Sequence, residues 1–364
     1  MADFPKGAWI LQPDNFTPPT RTPWGGQRIL QTYKAPISDQ LAESKRGFPV
    51  VGESWEISVE PSFPSHVRTD AGMIPLAELI ARDSDAVLGD AARYGGLSLL
   101  VKLLDAALPL SVQVHPTDDY PALAQDECGK PESWYIVAAS PGAGLYLGFK
   151  EGVSAREVED ALRSERDLSD YLNFVPVEPG DCFEIGPGTI HAIGGGVTLV
   201  EPQQVIPGKK GITYRFWDWN RRYDASGPED PAGSPRQLHI HDSMAVTDFE
   251  GLRGEAFVES VRRRPTLLAQ SRDGDARLCG YIESSAFEVC VFTGSRGAIE
   301  LPTPRFWAGV VVAGEAQLNV SDEQSRVRRG QSFVIPAFHS GVTVEALLPG
   351  TEIVFSAPGG GAGL

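Results

Sequence analysis

The sequence predicts a mainly β protein built from two β-rich halves with a few short helices. Short runs of alternating or continuous apolar residues recur along both halves, for example at 97–104, 287–292 and 332–336. The 39 glycines and 29 prolines exceed average usage, which suits many short strands joined by turns. A pattern of glycine, short strand, proline and histidine ends at His191 and again at His339, which indicates that the halves are related.

The 364 residues are enough for two cores, and the boundary is predicted in a stretch rich in Pro, Gly, Ser and acidic residues at 224–235. We expect a first unit with an amino-terminal extension and helical insertions, a linker with short helical segments, a second β unit and a flexible tail, at 1–225, 226–260, 261–356 and 357–364. Short helices are predicted at 75–81, and after a capping box at 154–157.

Composition excludes several classes of partner. The chain is 41% hydrophobic and 22% charged, and its 48 acidic against 32 basic residues give a formal net charge of -16. This charge repels nucleic acid and anionic membranes, so we expect neither as a partner. The start lacks a basic region followed by an apolar core, which predicts a cytoplasmic protein. We expect a monomer or a homodimer. The four dispersed cysteines are predicted to be reduced thiols.

The stretch from Ser111 to Tyr135 directs several polar groups to one side of the sheet. Gln113 and His115 stand two residues apart, and Lys130 and Glu132 repeat that spacing, so each pair shares one face of a strand. Inward polar groups are costly in a core unless something there binds them. A divalent metal would satisfy an amide, an imidazole and a carboxylate together.

A second histidine completes a candidate metal centre. Two Pro-Gly turns in 179–188 bracket a short strand and deliver His191 just beyond it. Gln113, His115, Glu132 and His191 would supply two nitrogen and two oxygen ligands, a set that suits zinc and also manganese, iron or cobalt. Spacing alone leaves two interpretations open, a metal site or hydrogen-bonded polar residues in a core.

Other charged residues stand out in the first half. Arg215 lies in a strand among large apolar side chains, so it should pair with an anion or line a functional cleft. Lys209 and Lys210 belong either to a solvated loop or to an anion site. Glu56 faces either solvent or the site. The pair His239 and His241 has no further ligands nearby, so we interpret it as surface rather than metal-binding.

The order of the motifs resembles that of type I mannose-6-phosphate isomerases over about residues 9–222. The motifs are residues 24–26, 52–56, 111–116, 129–135, 187–192 and 213–216. This resemblance implies two cupin domains, of the double-stranded β-helix or jelly-roll type, and one zinc ion per chain held by Gln113, His115, Glu132 and His191. The second half lacks a Gln-x-His strand and a matching Glu, so we predict that it is metal-free.

The same resemblance implies aldose-ketose isomerisation of mannose 6-phosphate to fructose 6-phosphate through a cis-enediol. Lys130, Glu201 and Arg215 become candidate catalytic residues, with Glu201 first as base. An alternative role for Glu201 is to anchor Arg215 or Lys130 in an ion pair. Candidate partners of the substrate phosphate are Lys209, Lys210 and Ser111, together with Arg215 and Lys130.

Three rival functions fit parts of the same pattern: isomerisation or epimerisation of another sugar phosphate, non-catalytic carbohydrate binding, and a structural bicupin. The loop between Gln204 and Thr213 looks longer than the family's, which bears on phosphate binding, and the region after Arg222 resembles the family only weakly.

Overall fold

A computed structural model describes residues 4–70, 72–225 and 227–360. The chain is mainly β, as predicted. The strands of the amino-terminal part are β1 (Trp9–Ile10), β2 (Glu53–Ile57), β3 (His66–Thr69), β4 (Gly72–Pro75), β5 (Leu99–Ala106), β6 (Val112–Val114), β7 (Glu127–Cys128), β8 (Glu132–Ala139), β9 (Gly144–Phe149), β10 (Leu172–Pro176), β11 (Cys182–Ile185), β12 (His191–Ile193), β13 (Val197–Gln204), β14 (Lys210–Gly211) and β15 (Tyr214–Trp217).

The carboxy-terminal part is also built from short strands. They are β16 (Arg262–Arg263), β17 (Thr266–Gln270), β18 (Arg277–Glu283), β19 (Phe287–Gly294), β20 (Ala298–Glu300), β21 (Trp307–Ala313), β22 (Glu315–Val320), β23 (Glu323–Arg328), β24 (Ser332–Ile335), β25 (Thr343–Ala346) and β26 (Thr351–Pro358). The α-helices are α1 (Glu43–Arg46), α2 (Leu76–Arg82), α3 (Ser84–Leu88), α4 (Ala155–Arg163), α5 (Ile240–Val246) and α6 (Gly254–Val261). A π-helix spans Ile29–Tyr33, and 3-10 helices span Ala35–Gln40, Gly89–Tyr94 and Leu168–Tyr171.

The predicted capping box is confirmed at the start of α4. The Ser154 hydroxyl accepts a hydrogen bond from the Glu157 amide, and the Glu157 carboxylate accepts one from the Ser154 amide. Of the helices described in residues 4–70, 72–225 and 227–360, none has the length and apolar character needed to cross a bilayer.

Two antiparallel sheets, built from strands of the amino-terminal part and from β16, form a barrel. Their strand orders are β16-β11-β8-β13-β5-β2 and β10-β9-β12-β6-β15. In the first sheet Glu201 lies opposite Lys102, and Gln203 lies opposite Glu132. Because side chains alternate sides along a strand, these positions place one continuous row of polar groups on the inner face.

The carboxy-terminal sheets have the orders β1-β24-β21-β26-β19-β18-β17 and β20-β25-β22-β23. They enclose an apolar core that includes Trp307, Phe333 and Phe355. His339 ends the repeated sequence pattern here, and its Nδ1 lies 3.0 Å from the Ser321 hydroxyl. Among the described residues, a cluster of His, Cys, Asp and Glu side chains able to hold a metal forms only in the amino-terminal barrel.

The outer faces of the two larger sheets pack against each other in one core, with Tyr135 and Tyr281 in edge-to-face contact at 5.4 Å. β1 pairs with β24 and β16 pairs with β11, so strands cross the boundaries expected from the sequence. β26 reaches Pro358, two residues into the expected tail, because its partner strand β19 pairs along its full length. Residues 361–364 of that tail lie outside the described residues, and the division into units stays a prediction.

Candidate active site

A cavity of about 570 Å³ opens between the two sheets of the amino-terminal barrel. Arg215, Ser111, Gln113, Lys130 and Lys210 are among the residues that line it. A smaller recess of about 50 Å³ adjoins it, since the two share lining residues, and reaches Glu132, His191 and Glu201. The interior is therefore a deep polar pocket with room for a small molecule.

The centre of the pocket joins two imidazoles to one carboxylate. His115 Nε2 lies 3.3 Å from one Glu132 oxygen, and His191 Nε2 lies 3.4 Å from the other. One ligand atom from each of these three residues falls within 4.8 Å of the others, and all three side chains are buried. The structure thus brings together three of the four predicted ligands as a compact group.

The backbone sets the tautomer of both histidines. His115 Nδ1 lies 3.0 Å from the Ile212 carbonyl, and His191 Nδ1 lies 2.8 Å from the Thr189 carbonyl. A carbonyl only accepts, so each Nδ1 carries the proton and each Nε2 keeps its lone pair. Both Nε2 atoms are buried without a hydrogen-bond partner among the described residues. Burial lowers the pKa of both imidazoles, that of His191 to about 3.

Glu132 is held as an anion between these imidazoles. Burial alone raises the pKa of its carboxyl, but the Lys130 ammonium at 3.1 Å and the neighbouring imidazoles lower the pKa well below its ordinary value. The Gln203 amide also donates to it at 2.8 Å. Two unpartnered imidazole nitrogens beside a buried carboxylate are the donor set that a divalent cation takes, so the residues fit the expected metal.

Gln113 lies in register between His191 on one neighbouring strand and Arg215 on the other. It lines the small recess together with Glu132 and His191, while its amide donates to Ser111 at 3.1 Å. Its side-chain oxygen is the atom that would complete the set. The assignment of Gln113 as fourth ligand stays a prediction.

Glu201 lies deep in the same recess. Its carboxylate accepts hydrogen bonds from Trp134 Nε1 at 3.1 Å and from the Gln203 amide at 2.6 Å. Gln203 therefore bridges the Glu201 and Glu132 carboxylates. Burial, and next the Glu132 charge, raise the pKa of Glu201 to about 7. A carboxylate with this pKa is suited to accept and return a proton at neutral pH.

The ion-pair partner of Glu201 is Lys102, not Arg215 or Lys130 as the alternative interpretation supposed. Lys102 Nζ lies 3.4 Å from Glu201 and sits over the Trp55 ring at 4.9 Å. Burial lowers the pKa of Lys102, but the Glu53 and Glu201 carboxylates outweigh burial and raise it. Lys102 was missed in the sequence, where the available signal was a lysine inside an otherwise apolar strand.

The sequence pattern also gave no role to Glu53, and it pointed to Glu56 as a residue of the solvent-facing surface or of the site. Glu53 lines both cavities, while Glu56 points to the opposite side and pairs with Lys34 at 2.6 Å in the core between the larger sheets. Glu53 and Glu56 stand three residues apart in β2, so alternation along the strand places their side chains on opposite faces.

The anion-binding candidates separate into two groups. Ser111, Lys210 and Arg215 line the 570 Å³ cavity. Lys209 lines instead a neighbouring cavity of about 370 Å³, which Lys210 also borders. The structure also adds Arg21 and Arg236 to the wall of the larger cavity.

All four cysteines are free thiols, as predicted.

A barrel of two antiparallel sheets with an inward His, Glu and His cluster defines a cupin-type protein with a centre for a divalent metal. The model of the phosphomannose isomerase type I catalytic domain matches residues 21–134. The chain is also 30% identical to the mannose-6-phosphate isomerase of Streptococcus mutans over 314 residues, which cover 86% of this chain and 88% of the relative. The chain belongs to the type I mannose-6-phosphate isomerase family.

Solved structures support the same fold. The crystal structure of the mannose 6-phosphate isomerase from Bacillus subtilis matches with a TM-score of 0.76 and 23% identity, over 96% of this chain and 99% of that one. A zinc-bound mannose 6-phosphate isomerase matches with a TM-score of 0.68 and 17% identity, over 97% of this chain and 100% of that one. At these identities the likeness establishes the fold.

Proposed function

We propose that the protein interconverts mannose 6-phosphate and fructose 6-phosphate. The observation that carries this proposal is the pair of unpartnered imidazole nitrogens facing Glu132. Glu132 lines the small recess with Glu201, and that recess adjoins the cavity lined by Arg215. Membership of the mannose-6-phosphate isomerase family supplies the substrate. The relatives compared are isomerases of this one sugar phosphate, which disfavours the three rival functions.

The metal we propose is zinc, at one ion per chain, because a structural relative binds zinc. Gln113, His115, Glu132 and His191 would hold it. When bound, such an ion polarises substrate oxygens and stabilises the negative charge that develops on them.

Proton transfer is the task of the chain's own residues. Isomerisation needs a base that takes the proton from carbon 2 of open-chain mannose 6-phosphate and returns it to carbon 1 through a cis-enediol. A second proton passes from the hydroxyl on carbon 2 to the carbonyl oxygen on carbon 1. We assign this base to Glu201, since its pKa of about 7 leaves much of it ionised at neutral pH and still able to release the proton. Trp134 and Gln203 hold the carboxylate in place through their hydrogen bonds.

Cationic side chains would stabilise the oxygen charge of the enediol. Lys130 lies 3.1 Å from Glu132 with 13% of its side chain exposed, so it borders both the centre and the cavity. Arg215 lines the cavity beside Ser111. Charged donors that face developing charge in a water-poor pocket are far more effective than in water.

For the substrate phosphate we propose Ser111 and Lys210. Both line the 570 Å³ cavity, whose size leaves space for the phosphate outside the recess. Lys209 lines a different cavity, so this proposal gives it no contact with the phosphate. The cytoplasmic location and the monomer or homodimer state stay predictions.

A coupled assay with a panel of aldose phosphates, run in deuterated solvent, tests the function. We expect turnover of mannose 6-phosphate to exceed that of other hexose and pentose phosphates, with solvent deuterium appearing in the product. Preferred turnover of another sugar phosphate would assign a different substrate. Binding of the sugar without turnover or deuterium uptake would indicate a carbohydrate-binding protein.

A further inference from the structure

Arg215 lies in the edge strand of its sheet. On the outer side of an edge strand, no neighbouring strand pairs with the backbone. β15 is the last strand of the five-stranded sheet, and among the strands of the described residues it pairs with β6 alone. The ladder is also irregular here, with a register shift between Arg215 and Trp217. A side chain on an irregular edge strand needs additional support to keep one orientation.

Residues 236–239 supply that support. The Arg215 amide donates to His239 Nδ1 at 3.0 Å, and the His239 amide donates to the Arg215 carbonyl at 2.8 Å. His239 thus closes a two-bond ring on the outer edge of β15. The Arg215 guanidinium also donates from Nη1 to the Gln237 carbonyl at 2.8 Å and from Nε to the Ser111 hydroxyl at 3.3 Å.

The segment is itself fixed to the end of β15. Arg236 donates to both carboxylate oxygens of Asp218, at 2.7 Å each, and Asp218 is almost fully buried. A two-bond arginine and carboxylate contact is strong and directional. Arg215 is therefore held by a segment that lies beyond residue 225, outside both the expected first unit and the region 21–134 that matches the family model.

We infer that His239 is a positioning residue, whose Nδ1 and main chain orient Arg215 for the isomerase reaction. This inference rests on the proposed function. His239 acts through Arg215, and it does not line either cavity of the site. Its Nδ1 has to be unprotonated to accept from the Arg215 amide, which leaves the proton on Nε2. Of the two neighbouring histidines considered in the sequence, His239 therefore has this role, and His241 is exposed.

Two substitutions of His239 distinguish the effect of the Nδ1 acceptor from the effect of the ring's volume. His239→Asn keeps an acceptor atom in place of Nδ1 and loses volume, whereas His239→Leu keeps volume against Tyr214 and loses the acceptor. We expect His239→Leu to lower kcat about 10- to 100-fold, since misplacing a reactive group by an ångström can cost this much. His239→Asn should stay within roughly threefold of wild type, the value of a small hydrogen-bond change. His241→Ala, in the first turn of α5, is the matched control.

The readouts are kcat, KM, bound metal and thermal midpoint for each variant. The expected pattern is a kcat loss in His239→Leu that His239→Asn restores, with unchanged metal content in all. Wild-type kcat in His239→Leu, or a greater loss in His239→Asn than in His239→Leu, overturns the positioning role. An inactive wild-type protein would instead overturn the proposed function, so the two failures are distinct.

Discussion

Lys102 Nζ lies 3.4 Å from the Glu201 carboxylate, with both side chains less than a tenth exposed. The two residues face each other across adjacent strands of the same sheet. The lysine opposes the effect of burial on the Glu201 pKa, because a nearby positive charge favours the ionised carboxylate. Lys102 thereby keeps the proposed base usable near neutral pH.

Replacing Lys102 by Met should move the acid limb of the pH profile of kcat/KM to higher pH. Without the ammonium the Glu201 pKa rises further, so less carboxylate is present at pH 7, and we expect kcat/KM there to fall at least about tenfold. Steady-state kinetics between pH 5 and pH 9 measure the shift. Lys150→Met removes an exposed lysine and serves as control. An unmoved acid limb in Lys102→Met would contradict this coupling.

Replacing Glu201 by Gln should remove the base while preserving the shape of the recess. We expect kcat to fall by about 10²- to 10⁴-fold, the usual contribution of general base catalysis. In the wild type, activity should rise with pH through an apparent pKa near 7, because only the ionised carboxylate accepts a proton. Metal content should not change. A Glu201→Gln variant that keeps wild-type turnover would exclude Glu201 as the base.

The raised pKa of Glu201 also bears on stability. The native state favours the protonated carboxyl more than the unfolded chain does, so the stabilisation is complete below the ordinary carboxyl pKa of 4.5 and is lost as the pH rises through about 7. Glu201→Gln should therefore become more stable relative to wild type as the pH rises from 5 to 8. Urea unfolding at several pH values measures this difference, and a difference independent of pH would count against the raised pKa.

Lys34 and Glu56 form a fully buried ion pair in the core between the larger sheets. The Lys34 ammonium donates to both Glu56 oxygens, at 2.6 and 2.8 Å, and to the Gly330 carbonyl at 2.8 Å. Lys34→Met should lower the free energy of unfolding by about 3–5 kcal/mol, because it leaves a buried carboxylate without a partner.

Chemical denaturation of Lys34→Met, Glu56→Gln, the double variant and a control tests this pair. The double variant Lys34→Met, Glu56→Gln should recover part of the loss, since no unpaired charge then remains. Lys6→Met removes an exposed surface pair with Glu323 and should change the free energy of unfolding by less than about 1 kcal/mol. A loss in the double variant equal to the sum of the two single losses would contradict the pairing.

Local sequence pattern predicted the parts of the site that depend on alternation along one strand. Gln113 and His115 are two residues apart, and Glu132 and His191 are polar positions beside apolar strand residues, whereas Glu201 was singled out only by the family resemblance. The β class and the capping box of α4 follow from equally local signals. The family resemblance then assigned metal binding and isomerisation to these residues, whereas alternation alone leaves their chemistry open.

The contributions that sequence reasoning missed depend on contacts between distant segments. Lys102 meets Glu201 only because β5 and β13 are neighbours, and Glu53 reaches the cavity because β2 lies beside β5. His239 reaches Arg215 after a loop rich in proline and glycine that reads as a boundary. Such pairings depend on strand order and on irregularities in the ladder, which period-two patterns do not encode.

The central claim is that His115, Glu132 and His191, with Gln113, hold a metal that the isomerase reaction requires. The most direct measurement is a zinc titration of chelator-treated protein, followed by mannose 6-phosphate isomerase activity and bound metal, in wild type, Glu132→Gln and the control Glu184→Gln from the neighbouring strand. We predict that activity vanishes on chelation and returns in proportion to zinc up to about one ion per chain in wild type and control, but not in Glu132→Gln. Undiminished turnover by metal-free wild-type protein would contradict the account.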